Sequence, residues 1–327
     1  MSAPKPRRRG RKAALLALAI LALAWSLMYA WPKHRAEPPR VWSARANGAP
    51  LVIAHQGGNQ ERPSESNLAF EHAASIGVDA FELDVALTAD GMLAVIHDLS
   101  LDRTTNGSGP VRAMSYEAIR QLDAGYGLEG PDGAPLRDPA INPYIGVGAY
   151  VPHLEELFKA YPAMPMLIEL KDSGADGELA AAELWRLIEA YGRRDTVLVA
   201  SFHGDTMKAF KSLSGGSVAR SAPVPEATAF WAFHALGLSA VNNGAGFNVL
   251  NLPLGSKLGP FRIDLCSRAF REDARHRGIP IHYWTINRSE DMIRLAELGR
   301  EDGFGVDGII TDRPSQLLDI LRDRGLR

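Results

Sequence analysis

Eight short apolar runs, spaced by helix-patterned stretches, constrain what this chain can fold into more than any other feature. They fall at 51–54, 79–85, 166–170, 197–201, 217–220, 248–252, 281–285 and 308–311. Helical patterning follows most of them, at 66–75, 178–191, 205–213, 226–236, 267–276, 289–298 and 314–321; in the second of these Leu184, Leu187 and Ile188 share one face. Strands that alternate with helices pair in parallel, and eight of them predict an α/β barrel of the TIM (β/α)8 type. Positions 50–327 have the length of one such barrel.

A ninth extended run, 92–97, follows the second strand after only Thr88-Ala89-Asp90-Gly91. That gap is too short for a crossover helix, and Asp-Gly favours a tight hairpin, so the run should return antiparallel. With Asp90-Gly91 as a two-residue turn, His97 would come back opposite roughly Asp84. The segment of about 99–151 is rich in Gly, Pro and Asn, with one helix-like piece at 116–122. It reads as a small subdomain inserted above the barrel mouth.

Ahead of the barrel, Lys5, Arg7, Arg8, Arg9, Arg11 and Lys12 make positions 1–12 a basic segment. The run 13–31 is uncharged, long enough to span a bilayer, and carries Trp25, Tyr29 and Trp31 at its far end. A transmembrane signal anchor is expected there, with a cytoplasmic N-terminus, an extracytoplasmic catalytic part (periplasmic or lumenal) and 32–49 as a linker. The competing reading is a signal peptide cleaved after Ala22-Leu23-Ala24, which would make the protein secreted. Cys266 is the sole cysteine, so no intrachain disulfide can form. A net charge of −2 gives no basic surplus for nucleic acid.

Glu82 and Asp84 lie two apart on a strand, so both carboxylates point the same way while Phe81, Leu83 and Val85 fill the other face. Hard oxygen ligands in this arrangement suit Mg2+ or Ca2+ better than Zn2+. Glu169-Leu170-Lys171 repeats the spacing; Glu169 can supply a third ligand and Lys171 a cation for a phosphate oxygen, or the two can form a buried structural ion pair. His55 and His97 each close an extended run. Two strand-end histidines beside paired carboxylates supply a proton acceptor and a proton donor for hydrolysis at phosphorus. Trp284, at another strand end, is either barrel packing or an apolar wall for substrate. Thr311 and Asp312 can cap the helix that follows them.

With these residues, the chain resembles the glycerophosphodiester phosphodiesterases over almost all of 51–321. The matching segments include His55 with its glycines, Glu82-Leu83-Asp84-Val85, His97-Asp98, Leu101-Asp102-Arg103-Thr104-Thr105-Asn106-Gly107, Glu169-Leu170-Lys171, Trp284-Thr285-Ile286-Asn287 and Gly308-Ile309-Ile310-Thr311-Asp312. The resemblance implies a barrel that hydrolyses glycerophosphodiesters to glycerol 3-phosphate and an alcohol. It implies a divalent cation on Glu82, Asp84 and Glu169, acid/base work by His55 and His97, and substrate contacts from Lys171 and the residue after the first histidine. There the family usually has arginine and this chain has Gln56; Pro63-Ser64-Glu65-Ser66 also departs from the family's usual Glu-Asn-Thr stretch. The same site at a membrane would suit a lysophospholipase D, and loss of site residues would have indicated an inactive binding module.

Overall fold

The computed structural model describes residues 40–130, 132–239, 246–258 and 261–327, with Ala19, Ile20, Leu23 and Ser26 ahead of them. Apart from those four positions, the 13–31 stretch expected to form an anchor lies outside the described residues. Among the described residues, no helix is long and apolar enough to cross a membrane.

The strands are β1 (Leu51–Ala54), β2 (Ala80–Leu87), β3 (Leu93–Val95), β4 (Met166–Leu170), β5 (Val197–Ala200), β6 (Ala219–Arg220), β7 (Leu250–Leu252), β8 (Gly255–Leu258), β9 (Phe261–Asp264), β10 (Ile281–Tyr283) and β11 (Gly308–Thr311). Eight of them form one curled sheet in the order β6-β5-β4-β2-β1-β11-β10-β7, and every neighbouring pair is parallel. A parallel bridge between Ser221 and Val249 brings the two ends of that order together, which closes a TIM-like barrel. The helices are α1 (Asn67–Ile76), α2 (Tyr116–Arg120), α3 (Leu154–Ala160), α4 (Gly174–Ala190), α5 (Gly204–Ser214), α6 (Val224–Ala235), α7 (Arg268–His276), α8 (Ser289–Asp302) and α9 (Pro314–Asp323).

Local chemistry sets these boundaries. The Ser66 hydroxyl accepts from the Ala69 amide at 3.2 Å to cap α1, and Gly77, at φ +80°, ends it in the left-handed region that glycine enters freely. In α4 the stripe of Leu184, Leu187 and Ile188 faces inward as its spacing predicts, joined by Ala180 and Ala181. β2 is buried along its whole length because its two faces meet different layers. Phe81, Leu83 and Val85 pack in the large cluster between sheet and helices. Ala80 joins Ile53, Leu167, Leu198, Val249 and Ile310 inside the barrel.

Three expectations need correction. The tether ends earlier than position 49: Arg40–Trp42 form a 3-10 turn, and Trp42 is fully buried in the interior cluster, where it plugs the barrel. The hairpin loop is one residue longer than a two-residue turn. Val85 pairs with Val95 and Leu87 with Leu93, and Thr88 donates its amide to Met92, leaving Ala89, Asp90 and Gly91 in the bend with Gly91 at φ +81°. Finally, α3 and the β8–β9 hairpin were not expected from the sequence. The insertion has a small core of its own, in which Ile96, Leu101, Val111, Ile119, Ala124, Ala149 and Val151 pack against Ala86 and Ala94 of the β2–β3 hairpin.

Candidate active site

Inward-facing residues of a parallel barrel alternate, so the residue two beyond each core position emerges at the carboxyl end of its strand. Beyond Ile53 stands His55, beyond Ala80 stand Glu82 and Asp84, and beyond Leu167 stand Glu169 and Lys171. Parallel register sets Asp84 beside Glu169 on the neighbouring strand. Carboxylate oxygens of Glu82, Asp84 and Glu169 all lie within 4.8 Å of one another. Lys171 Nζ sits 3.0 Å from both Asp84 Oδ1 and Glu169 Oε1, so the ion-pair reading of Glu169 and Lys171 and the site reading describe the same residues.

Concentrating negative charge away from water raises carboxyl pKa values. Burial and then the neighbouring Asp84 charge push Glu82 up to about 8, against the pull of His55 and the Gln56 amide. Burial and Asp84 raise Glu169 as well. For Lys171, burial works against the charge, but Asp84 and Glu169 outweigh it and hold the ammonium above its ordinary range. Three converging, mutually repelling carboxylates with hard oxygen donors fit a divalent cation.

Both histidines are oriented by carboxylates. His55 Nδ1 is 2.5 Å from Asp312 Oδ1, and its Nε2 is 3.9 Å from Glu82 Oε2. His97 Nδ1 is 2.7 Å from Asp98 Oδ1. An ionised carboxylate only accepts, so each Nδ1 donates, and in the neutral ring the lone pair is on Nε2. Burial alone would lower the pKa of His55; the charge of Glu82 and the bond and charge of Asp312 reverse this and raise it to about 9. The His97 bond, against burial and with help from Arg103, holds Asp98 far below the usual carboxylate range. Asp312 is therefore the partner of His55 and not a helix cap; Thr311 alone accepts from the Arg313 amide.

The longer hairpin loop changes how His97 arrives. Ile96, not His97, lies across from Asp84, to whose carbonyl it donates at 3.0 Å. A continued ladder would pair His97 with Leu83 and turn it toward the helices. The ladder stops at Val95, and His97 lines the same cleft as His55, Glu82, Asp84, Glu169, Lys171 and Trp284. That cleft has a volume of about 690 Å³.

Gln56 does not line it. The residue is buried in the left-handed region, at φ +51°, where its amide donates to Glu82 Oε2 at 3.0 Å and its side chain donates to Asp84 Oδ2 at 3.3 Å. Its Oε1 accepts from Ser64 Oγ and Asn59 Nδ2 at 2.5 and 3.2 Å. Beside it Gly57 is required by space as well as by its φ of +77°, since a Cβ there would meet the Ala69 Cβ at 2.7 Å.

Sequence reasoning missed three residues around the site. Glu65 is buried at φ +54° and accepts the Asp84 amide on Oε1 at 2.6 Å, while Oε2 has no hydrogen-bond partner among the described residues. Burial and the Asp84 charge raise its pKa well above the usual range. Arg103 clamps Asp98 and reaches Glu129 of the insertion at 2.6 Å, and Asn59 also donates to Glu129 at 3.3 Å. Arg103 lies in the 101–107 motif and Glu65 in the 63–66 stretch, neither of which was given a role at the site from sequence, and no local pattern marks Glu129.

Residues 55–316 match the model of the glycerophosphoryl diester phosphodiesterase family. A glycerophosphodiester phosphodiesterase of Caldanaerobacter subterraneus is 31% identical over 281 residues, covering 84% of this chain and 99% of that protein. The crystal structure of a glycerophosphodiester phosphodiesterase from Agrobacterium tumefaciens superposes with a TM-score of 0.63 at 25% identity, over 84% of this chain and 99% of that one. An Oleispira antarctica phosphodiesterase, solved with its product sn-glycerol-3-phosphate, shares the fold with a TM-score of 0.62 at 21% identity, over 84% and 97% of the two chains.

Proposed function

The chain belongs to the glycerophosphoryl diester phosphodiesterase family, which makes it a phosphoric diester hydrolase, and on that premise we propose that it converts glycerophosphodiesters to glycerol 3-phosphate and an alcohol at the His55–Glu82–Asp84–His97–Glu169 cluster. The observation that carries this reading is the pairing of two carboxylate-oriented histidines with three converging carboxylates in one cleft. Every member of that set is in place, so an inactive binding module has nothing to recommend it.

Glu82, Asp84 and Glu169 would hold Mg2+ or Ca2+, which when bound supplies Lewis-acid stabilisation of charge on the phosphate oxygens. Lys171 adds a fixed positive charge at the same edge of the cleft. One histidine takes the proton of the attacking hydroxyl on Nε2, and the other returns a proton to the departing alkoxide. Asp312 and Asp98 hold the two rings in the tautomer that this exchange requires. Gln56 acts behind the carboxylates, fixing Glu82 and Asp84 instead of touching phosphate. Glycerophosphocholine hydrolysis should disappear on chelation, return with Mg2+ or Ca2+, and fall on the order of 10²-fold or more in His97→Ala and Glu82→Ala. Full turnover in either folded variant, or in chelator, would remove the assignment.

A membrane anchor at 13–31 with an extracytoplasmic barrel is proposed from the basic segment at 1–12 and the uncharged run after it. Carbonate washing of membranes should leave the full chain in the pellet; its release into the wash would count against an anchor.

A further inference from the structure

Two chains of hydrogen bonds run back from the site, and both end on one residue of the insertion. Behind His97, Asp98 is gripped by Arg103, whose Nε and Nη2 donate to its two oxygens at 2.7 and 3.2 Å. The remaining arm of that guanidinium, Nη1, donates to Glu129 Oε1 at 2.6 Å. Behind the carboxylates, Gln56 donates to Asp84 Oδ2, and its own oxygen accepts from Asn59 Nδ2 at 3.2 Å. The same Asn59 nitrogen donates to Glu129 Oε2 at 3.3 Å. Each oxygen of Glu129 therefore closes one chain. The backbone seats it there: the Glu129 amide donates to the Asn59 carbonyl at 3.1 Å, the Gly127 carbonyl accepts the Ser64 amide at 2.9 Å, and a bridge between Glu129 and Pro135 turns the insertion back. Burial raises the pKa of the Glu129 carboxyl against the pull of Arg103, and the charges of Asp312 and His55 reach it as well. Glu129 thus stands close to the carboxylate-oriented pairs of both histidines.

From this convergence we infer that Glu129 is a positioning residue for both halves of the site, fixing the His97 ring through Arg103 and Asp98 and the Asp84 carboxylate through Asn59 and Gln56. The inference rests on the phosphodiesterase reading above and gives the insertion a part in it. A side-chain amide has one donating side and one accepting side, so its orientation is decided by what faces it. Asn59 is buried and its Oδ1 has no hydrogen-bond partner among the described residues, so the two acceptors on Nδ2, Gln56 and Glu129, are what hold its amide. Were Asn59 to turn over, its oxygen would face the Gln56 oxygen, and Gln56 would lose a donor that keeps its own NH2 group on Asp84. On the other chain, a guanidinium held along all three of its arms cannot swing, and Asp98 keeps its place under His97. The planar fork of Arg103 and the amide of Asn59 are both tied to a carboxylate that belongs to neither wall of the barrel.

The full chain, stripped by chelation, should be titrated calorimetrically with Mg2+ and with Ca2+. Glu129→Gln keeps the size of the side chain and an oxygen for Arg103 but turns a donor toward Asn59. It should weaken binding of the tighter ion by about tenfold, the low end for groups that act on metal ligands from outside. Asn59→Ala should weaken it by a like factor, and the double variant by no more than either alone, because both changes cut the same chain. Glu129→Ala frees Arg103 as well, so its kcat on glycerophosphocholine at saturating metal should fall about tenfold with KM little changed. Asn142→Ala is the control for a loosened insertion: it removes bonds to the Gly125 and Leu136 carbonyls at 2.8 and 2.7 Å without touching either chain, and should keep wild-type ion affinity and kcat. Wild-type ion affinity in Glu129→Gln, losses that multiply in the double variant, or an equal loss in Asn142→Ala overturns the inference and leaves the phosphodiesterase reading standing. If Glu129→Ala does not fold, Glu129→Gln decides alone. A wild type that neither binds an ion nor cleaves glycerophosphocholine overturns that reading, and the inference with it.

Discussion

At the scale of single residues, the site depends on groups that hold the reacting ones in place. Asp312 spends both oxygens, one on His55 Nδ1 and one on Asn287 Nδ2, and is almost fully buried. An amide at that position carries no charge to support the ring's protonated form or to fix the proton on Nδ1, so the neutral ring can move its proton to Nε2 and lose the lone pair it needs there to accept one. Asp312→Asn should lower kcat by on the order of 10²- to 10⁴-fold with little change in KM. Asp98→Asn should do less, because Asp98 is partly exposed and is also bound to Arg103. Equal and near-normal kcat in both variants would show that the histidines need no orienting partner. Gln56 illustrates the same dependence. An arginine there would place a second cation beside Asp84, where Lys171 already stands 3.0 Å away, and Ser64 supplies the hydroxyl that fixes the glutamine amide.

At the scale of elements, what could be read from the sequence was whatever local pattern determines. The bounds of β1, β4 and β11 coincide with apolar runs because each is buried on both faces and ends at a polar or glycine-containing turn. Glu82, Asp84 and Glu169 were legible for the same reason, since alternation along a strand leaves only one face for them. The Asp-Gly signal located the hairpin but could not count its loop: Thr88 bonds with Met92 on the far side, and Asp90 accepts the Tyr116 amide at the start of α2 instead of serving the turn alone. That second bond is tertiary and leaves no local trace. The β8–β9 hairpin has only four residues a strand: Gly255-Ser256-Lys257-Leu258 does not alternate, and Phe261-Arg262-Ile263-Asp264 alternates over too short a run to stand out, while α3 follows an irregular insertion that obscures its start. Asp312 looked like a cap because its partner is 257 positions away.

At the scale of the whole molecule, the barrel is polar at one end and plugged at the other, and the plug has a pH dependence that the site does not share. Trp42 closes the interior cluster, and its carbonyl accepts from His282 Nε2 at 2.8 Å. His282 is fully buried, and its Nδ1 has no hydrogen-bond partner among the described residues. Burial lowers its pKa, against the smaller opposing effects of the Trp42 bond and the Asp307 charge, because a second ring proton would have no acceptor. The unfolded chain binds that proton near the ordinary value of about 6.5, while the folded chain does not. Below about 6.5 the unfolded state therefore carries more protons, and stability falls as pH drops until the lowered folded value is reached, by up to about 1.4 kcal/mol per pH unit. Well above 6.5 the group contributes no pH dependence. The buried carboxyls with raised values, Glu65 and Glu82, work in the opposite sense: their folded forms hold protons that the unfolded chain has released, so they weaken the fold as pH rises. Comparison with His282→Gln separates the two contributions. Urea unfolding at pH 7.5 and 5.5 should show the wild type losing more stability on acidification than the variant, by about 1 kcal/mol. An identical loss in both would mean that His282 is protonated within the fold, and that the polar group beneath the barrel has an acceptor.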